Sequence, residues 1–386
     1  MKFEKINNNK KILLIPVIVF VVVLSLAVST SLAKYKITKS IKLASGTINY
    51  SPADFSLMGI YIESDDGYTS VDEVPTEGYE FNSETSYCEK SGVKQDVTIN
   101  YDMATQTLVI MPMLNKGMKC YLYFDEMPTA AQQIIALAGN GQVFNEGEAG
   151  YRYEGLNVDN YVEFNNETWR ILAVEEGSKI GLTSGEYYIK LIKEESIGDL
   201  AWDTNKKNTW SESSLYNILN GDYLNSTGNY INIGLNNESR EQIISAYWYT
   251  NGTESPWYTA NEFYKFERND LNNHVKNYIG IIYPSDYGYA TPTSLCGSIV
   301  LCEYNTNECN TNNWIYKNNI EYWLITYFDF QYYDPLEAWY IGSSGVVTDV
   351  GVDDNFAVRP SVYLRSDISF VAGTDGSSGN MFKIAL

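Results

Sequence analysis

Histidine is almost absent from this chain of 386 residues, since His274 is the only one. Catalysis by a Ser–His–Asp or Cys–His group needs an imidazole beside the nucleophile, so such a site would depend on this one side chain. Its surroundings, NDLNNHVKNY, contain no nucleophile-elbow motif and favour a solvated or capping histidine in an Asn-rich helix or loop. We therefore predict no catalytic residues and a protein that is not an enzyme.

Basic side chains are also scarce, because 27 Lys and Arg residues stand against 48 Asp and Glu residues, with a formal net charge of −21. An acidic surface of this kind repels nucleic acids and anionic lipid headgroups, so we expect no nucleic-acid partner. Cations and neutral sugars remain compatible with such a surface.

One long apolar run, Leu13–Val28, follows a group of four lysines near the start of the chain. Small residues ending at Ala33 complete the pattern of a secretory signal peptide over residues 1–33, cleaved after Ala33. The alternative is an uncleaved membrane anchor through residues 12–33, because that stretch is just long enough to span a bilayer. The lysines precede the run, so either interpretation places the rest of the chain outside the cytoplasm, secreted or at the cell surface.

Cysteine is sparse, and its five residues fall into two groups. Cys88 and Cys120 lie in one segment, whereas Cys296, Cys302 and Cys309 lie in another. Disulfides are the natural use of cysteine outside the cytoplasm, so we expect the bonds Cys88–Cys120 and Cys296–Cys309. Cys302 is then left over, although its pairing with either neighbour stays open. The clustered cysteines lack CxxC spacing and a fourth ligand, which argues against zinc.

Residues 34–127 predict a small all-β sandwich. Apolar and polar residues alternate in short runs such as FSLMGIYIES and KCYLYFDE, as they do in half-buried strands. Turn signals such as Ser91-Gly92 and Asn115-Lys116-Gly117 separate the runs. Several short strands at near-regular spacing are typical of a sandwich.

Residues 128–150 predict a linker that contains one short helix. Thr129 is a cap residue, good helix formers follow it to Ala138, and Gly139 is a stop signal. The stretch from Gly139 to Gly150 is rich in Gly and Asn, so we expect it to be exposed.

Residues 151–386 predict an α+β domain. The run NYVEFNNETWRILAVEE is typical of a hairpin with Asn165-Asn166 in its turn. The clearest helix is WSESSLYNILNGDYLN, with Ser211 as its cap, and Arg240 to Tyr249 is a second candidate. Strands and helices do not alternate as they would in a parallel doubly wound sheet.

Seven segments of this region carry a resemblance to a known family. They are YRYEG (Tyr151–Gly155), NYVEFNNETWRILAV (Asn160–Val174), IKLIKEESIG (Ile189–Gly198), WSESSLYNILNGDYLN (Trp210–Asn225), YIGIIYPSDYGYA (Tyr278–Ala290), CNTNNWIY (Cys309–Tyr316) and FAVRPSVYLRSDISFVAGTDGSSGNMF (Phe356–Phe382). In this order they resemble a family of uncharacterised domains in exported proteins of low-GC Gram-positive bacteria, often preceded by a short β-module. The resemblance implies a C-type-lectin-like fold, in the branch that includes sulfatase-modifying enzymes. Those enzymes use an active-site cysteine pair with copper, which no matching motif here supplies, so their activity is not implied.

Aromatic rings are the candidate ligand-binding groups, because they stack on sugars with little loss of side-chain freedom. Trp257 and Tyr258 are the first choice, since they lie in the polar, Gly- and Pro-broken stretch NGTESPWYTA. Trp248 and Trp339 complete the predicted site. The alternative for all four is packing inside the core.

A bound calcium ion is the one cofactor that we consider. Calcium takes oxygen ligands from loops, and Asp349, Asp353 and Asp354 lie together in DVGVDDN. The stretch Asp199–Asn205 contains a second acidic cluster. No EF-hand pattern is present, and a polar loop without metal is the alternative.

These features together predict an exported surface protein that binds an extracellular glycan or protein without catalysis. A structural envelope component and an extracellular hydrolase are the alternatives. Exposed aromatic rings around a shallow pocket would favour binding, and a self-complementary strand edge would favour assembly. Two carboxylates facing each other across a cleft would favour hydrolysis.

Overall fold

The computed structural model describes residues 55–64, 66–75, 78–103, 105–112, 117–306, 308–329 and 336–385. The predicted signal or anchor segment, residues 12–33, lies outside these ranges. Within them, no helix has the length and apolar character needed to cross a membrane. The chain divides into two compact units between Glu126 and Met127. Helices and strands both occur, which confirms the predicted α+β class.

The described residues of the first unit form two β-sheets that share one core. Its strands are β1 (Phe55–Ser64), β2 (Gly67–Val71), β3 (Tyr79–Phe81), β4 (Tyr87–Lys90), β5 (Val93–Lys94), β6 (Thr98–Asp102), β7 (Thr107–Met111) and β8 (Met118–Glu126). The main sheet has the order β2-β1-β8-β4-β5, with β3 also paired to β8, and β6 pairs with β7. Ile99 and Leu108 from the β6–β7 pair are buried with Leu122 of β8, so the two sheets pack together.

The disulfide Cys88–Cys120 joins β4 to β8 and confirms the first predicted bond. The two cysteines lie directly opposite each other in an antiparallel pair, with Cα atoms 4.0 Å apart. Both are buried in the core. Successive side chains of a strand point to opposite faces, so the neighbouring pair Tyr87 and Tyr121 lies on the outer face of this sheet.

In the second unit, the residues with a described structure form two larger sheets and one two-stranded sheet. Its strands are β9 (Val143–Asn145), β10 (Tyr151–Tyr153), β11 (Tyr161–Phe164), β12 (Glu167–Glu176), β13 (Tyr187–Lys193), β14 (Asp199–Ala201), β15 (Ile243–Ile244), β16 (Ala246–Tyr249), β17 (His274–Asn277), β18 (Ile279–Gly280), β19 (Tyr322–Phe328), β20 (Glu337–Ile341), β21 (Val347–Gly351), β22 (Asn355–Ala357), β23 (Ser361–Leu364), β24 (Ser369–Phe370) and β25 (Phe382–Ala385). One sheet runs β15-β23-β13-β12-β11-β25-β24, with β18 beside β23 and β10 linking β12 to β9. The other runs β14-β22-β19-β20-β21, and β16 pairs with β17.

The helices of the second unit are short. They are α1 (Ala130–Ala136), α2 (Ser214–Ile218), α3 (Asn237–Gln242), α4 (Ala260–Glu267), α5 (Pro284–Tyr289) and α6 (Thr293–Cys296). Thr129 caps α1 as predicted, because its hydroxyl accepts from the backbone N–H of Gln132 while the Gln132 side chain accepts from the backbone N–H of Thr129.

The predicted linker, residues 128–150, belongs instead to the second unit. Strand β9 pairs with β10, and Ile134 and Val143 are buried in the main core. The Gly- and Asn-rich composition therefore marks two turns on either side of β9, one after α1 and a 3₁₀ turn over Gly147–Ala149. The predicted hairpin of β11 and β12 is confirmed: Asn165 and Asn166 have φ angles of 59° and 57°, as its tight turn requires.

The cap of α2 differs from the prediction. Ser213, and not Ser211, caps this helix, because its hydroxyl accepts a hydrogen bond from the backbone N–H of Tyr216 at 3.0 Å. Trp210 is buried, and residues 210–212 form a separate 3₁₀ turn before the cap. With Trp210 buried in this turn, the cap of α2 lies two residues later than predicted.

The second predicted helix, Arg240 to Tyr249, is helical only as far as Gln242. Beyond it Ile243 pairs with Leu364 in β23, and Trp248 is fully buried in strand β16. Tertiary pairing and burial therefore override the helical pattern of this stretch.

A cluster of buried ion pairs ties β10, β12, β13 and α5 together. Asp286 accepts from Arg152 and from Lys190, each at 2.6 Å. Glu175 pairs with Arg152 at 3.1 Å and with Arg268 at 3.6 Å. Buried charges of this kind are tolerated only when they are paired and hydrogen-bonded.

Candidate functional site

A cleft of about 450 Å³ opens in the second unit where several chain segments meet, and we call it the Asn261 cleft. Its described lining residues include carboxyl, amide, hydroxyl and phenol groups but neither Lys nor Arg. A concave site with a few convergent polar groups is the usual form of a small-molecule or sugar site. The polar lining includes Glu146, Asn261, Tyr289, Thr293, Ser298 and Tyr304.

Helices α4 and α5 form the floor of the Asn261 cleft. A Cβ atom on Gly288 would lie 2.5 Å from the Cβ of Ala260, so glycine allows the two helices to approach this closely. Thr259 and Glu262 form a capping box at the start of α4. This cap fixes the first turn of α4 and thereby the place of Asn261 in the cleft wall.

The facing wall, residues 297–304, is anchored by the disulfide Cys296–Cys309, which confirms the second predicted bond. Cys302 is the free cysteine. The backbone N–H of Leu301 donates to the carbonyl of Tyr258 at 2.9 Å. This bond ties the wall to the stretch that contains Trp257.

Two carboxyl groups lie together at one side of the cleft. Glu154 is 4% exposed and accepts from the backbone N–H and the hydroxyl of Thr293 at 2.7 and 3.1 Å. Burial, together with the adjacent Glu146 carboxylate that shares a hydrogen bond with it, raises the pKa of Glu154 to about 8. Glu154 therefore keeps its proton at neutral pH. Glycoside hydrolysis uses two carboxyl groups that flank the substrate, whereas Glu154 is hydrogen-bonded to Glu146 itself.

The four predicted aromatic residues are divided between surface and core. Trp257 is 63% exposed. Tyr258 is half-buried and stacks on Phe266, with ring centroids 4.4 Å apart. Trp248 and Trp339 are 0% exposed, because both occupy inward positions of strands β16 and β20. Only Trp257 and Tyr258 of the predicted group are therefore placed to meet a ligand.

The predicted calcium ligands do not form a cage. Asp353 pairs with Lys206 at 2.9 Å, and Asp354 is exposed. Asp349 lies beside Glu337, whose pKa is raised by burial and by that carboxylate. Among the residues that the structure describes, no group of three or more Asp, Glu, His or Cys side chains is arranged to hold a metal ion. This loop therefore does not fit calcium, which takes six to eight oxygen ligands.

The second acidic cluster has a structural role at Asp203. This side chain is fully buried, and its carboxylate accepts backbone N–H groups of Asn205, Lys207 and Ser214 at 3.0, 2.9 and 2.8 Å. Its oxygens are thus occupied by a turn and by the start of α2.

A second cleft, of about 500 Å³, contains His274 together with Ser211 and Asp329. His274 begins strand β17, in contrast to the predicted helix or loop, and its ring stacks on Tyr247 with centroids 3.6 Å apart. Its Nδ1 atom lies 2.8 Å from the carbonyl oxygen of Leu271. A backbone group therefore orients the imidazole, whereas in a serine-protease triad an aspartate does so.

No family model, curated protein or solved structure matches this chain. The Asn261 cleft could not be predicted from the sequence. Its lining residues Glu146, Asn261, Tyr289 and Ser298 come from distant segments that only the tertiary fold brings together. The one local signal is the capping box over residues 259–262, which marks a helix start at the cleft.

Proposed function

We propose that this chain is an exported cell-surface protein whose second unit binds an extracellular glycan at the Asn261 cleft without catalysis. The observation that carries the proposal is the exposed Trp257 ring, three residues before the cleft wall formed by Ala260 and Asn261. A tryptophan left in solvent adds little to the core but offers a face on which a sugar ring can stack. The amide, hydroxyl and phenol groups of the lining supply partners for sugar hydroxyls.

The acidic lining of the cleft limits which glycans are expected to bind there. The lining includes the acidic side chain of Glu146, and neither Lys nor Arg lies among the described lining residues. An acidic lining without a basic residue disfavours sugars that carry carboxylate, sulfate or phosphate groups. Neutral sugars and amino sugars are therefore the proposed ligands.

The proposed location rests on the cysteines and on the start of the sequence. Two disulfides indicate an oxidising compartment. We extend this to secretion or surface display, with residues 1–33 as a signal peptide or residues 12–33 as an anchor. The C-type-lectin-like fold of residues 151–386, preceded by a β-sandwich, is likewise a proposal, supported by the segments that resemble that family.

Binding of the chain Lys34–Leu386 to an array of neutral, amino-sugar and anionic glycans tests the proposal. We expect saturable binding to neutral or amino-sugar glycans, with or without calcium, that weakens about 10-fold or more in Trp257→Ala. The matched control is Leu271→Ala, which removes another apolar side chain of the same unit, 62% exposed, and should leave binding unchanged. A blank array with folded protein would contradict glycan binding and favour a structural or protein-partner role.

A further inference from the structure

The outer face of the main sheet in the first unit carries five tyrosines. Residues directly opposite each other in paired strands lie on the same face. Tyr61 of β1 is opposite Tyr123 of β8, and Tyr87 of β4 is opposite Tyr121 of β8. Tyr68 of β2 meets the Tyr123 ring edge-on, with centroids 4.9 Å apart. We call these five residues the tyrosine face, and none of them packs against the buried cluster of this unit.

The rings of the tyrosine face stand side by side above the sheet. Tyr61 and Tyr123 stack with centroids 4.7 Å apart, and Tyr87 and Tyr121 stack at 4.9 Å. These distances match the spacing of neighbouring strands, about 4.8 Å, so each ring covers the face of the next. The stacked face of each ring in these two pairs is therefore closed to a ligand.

This arrangement favours a protein over a glycan as the partner. A sugar stacks on the open face of an aromatic ring, and stacking within the two pairs closes one face of each of these four rings. Tyrosine hydroxyls both donate and accept hydrogen bonds, which suits the backbone and side chains of a polypeptide. Tyrosine is also enriched in protein interfaces.

The charges on the same face indicate the sign of the charge that its partner carries. Lys94 and Lys119 share the face with four carboxylates, so its net charge is about −2. Lys94 already lies over the Tyr87 ring at 4.2 Å, which shows how a cation fits these rings. A second copy of the chain, with a net charge of −21, would be repelled. The four carboxylates are those of Glu63, Glu80, Glu89 and Asp125.

We propose that the tyrosine face is a docking surface for a basic protein, whose Lys or Arg side chains lie between the tyrosine hydroxyls and the surrounding carboxylates. This interaction is separate from the glycan binding proposed for the second unit. It would let one chain engage a sugar and a protein through different units.

Peptide binding to the full chain tests the docking surface. The probe is a twelve-residue peptide of alternating Lys and Thr, with a Glu and Thr peptide and a neutral chitin hexasaccharide for comparison. We expect the Lys peptide alone to depend on this face, with affinity about 5-fold or more weaker in Tyr61→Ser/Tyr123→Ser, whose charge is unchanged. The control Tyr278→Ser removes an exposed tyrosine of the second unit and should have no effect.

Three results would overturn the proposal. Equal affinity of the Lys peptide for the double variant would mean that the acidic chain attracts it generally. Hexasaccharide binding that the double variant loses would assign the face to a glycan. Dimerisation of the full chain that the double variant loses would assign it to a second copy.

If the double variant unfolds, chemical footprinting of the tyrosines in the unaltered chain still tests the docking surface. Nitration with tetranitromethane modifies accessible tyrosines. We expect the Lys peptide to slow nitration of Tyr68, which is exposed at the edge of the face, and to leave Tyr278 unaffected. Equal nitration of Tyr68 with and without saturating peptide would contradict docking there.

Discussion

The Nζ atom of Lys190 lies 2.6 Å from a carboxylate oxygen of Asp286, and neither side chain is exposed to solvent. Lys190 belongs to β13 and Asp286 to α5, so this pair joins the ten-stranded sheet to the floor of the Asn261 cleft. Burial opposes ionisation of Asp286, but Lys190 and Arg152 outweigh it and hold the pKa of Asp286 well below its usual range. The buried ion pair between Lys190 and Asp286 therefore holds α5 in place at the floor of the cleft.

Removing one partner of this pair should destabilise the second unit. Asp286→Asn leaves Lys190 without its ion-pair partner in the core, while Arg152 keeps only Glu175, and we expect the free energy of unfolding to fall by roughly 3–5 kcal/mol. Adding Lys190→Met should recover part of that loss, because it removes an unpaired charge. Urea unfolding followed by tryptophan fluorescence measures this, since all eight tryptophans lie in the second unit.

The control for this prediction is an exposed ion pair. Lys207 and Glu212 lie 3.2 Å apart, and both side chains are 59% exposed. Glu212→Gln should change the free energy of unfolding by no more than about 1 kcal/mol. A similar loss in Glu212→Gln and Asp286→Asn would contradict a special role for the buried pair.

The buried Glu154 makes stability depend on pH. Its pKa is about 8 in the folded chain and about 4.3 in an unfolded one. Between these values the folded state holds a proton that the unfolded state has released, so the free energy of unfolding falls as pH rises. Glu154→Gln removes this titration, and urea unfolding from pH 5 to pH 8 should then show a shallower decline.

Some pH dependence should remain in Glu154→Gln. Burial also raises the pKa of Glu267, to about 7. Glu267 therefore also makes the free energy of unfolding fall as pH rises. A decline in Glu154→Gln as steep as in the wild type would contradict a proton held on Glu154.

The disulfide at the cleft wall should stabilise the second unit. Cys296 and Cys309 are 13 residues apart, and replacing both with Ser should lower the free energy of unfolding by about 3 kcal/mol. The control Cys302→Ser should change it by less than about 1 kcal/mol. Thiol titration of the denatured, unreduced chain should find a single thiol, that of Cys302. More than one thiol would contradict the assigned pairing.

Short sequence patterns correctly predicted those structural features that depend on neighbouring residues. The grouping of cysteines predicted both disulfides. Asn165-Asn166 predicted its hairpin and Thr129 its helix, because positive φ and capping depend on neighbouring residues. The cap at Ser213 was missed because Trp210, an aromatic residue beside it, is drawn into the core.

Features that depend on distant residues were not predicted. The ion pair of Lys190 and Asp286 joins residues 96 positions apart. The tyrosine face needs the register of four strands, although Tyr121 and Tyr123 already alternate with buried residues in β8. Trp248 resembles Trp257 in sequence context, and only the pairing of β16 with β17 shows that one ring is buried and the other exposed.

Glycan binding at the Asn261 cleft is tested most directly by hydrogen–deuterium exchange with and without the strongest glycan from the array. Backbone amides that a bound ligand covers or orders exchange more slowly. We predict slower exchange in residues 257–262 and 289–304, which flank the cleft, and no change in the first unit. Protection confined to other segments, or no protection at saturating glycan, would contradict the proposed site.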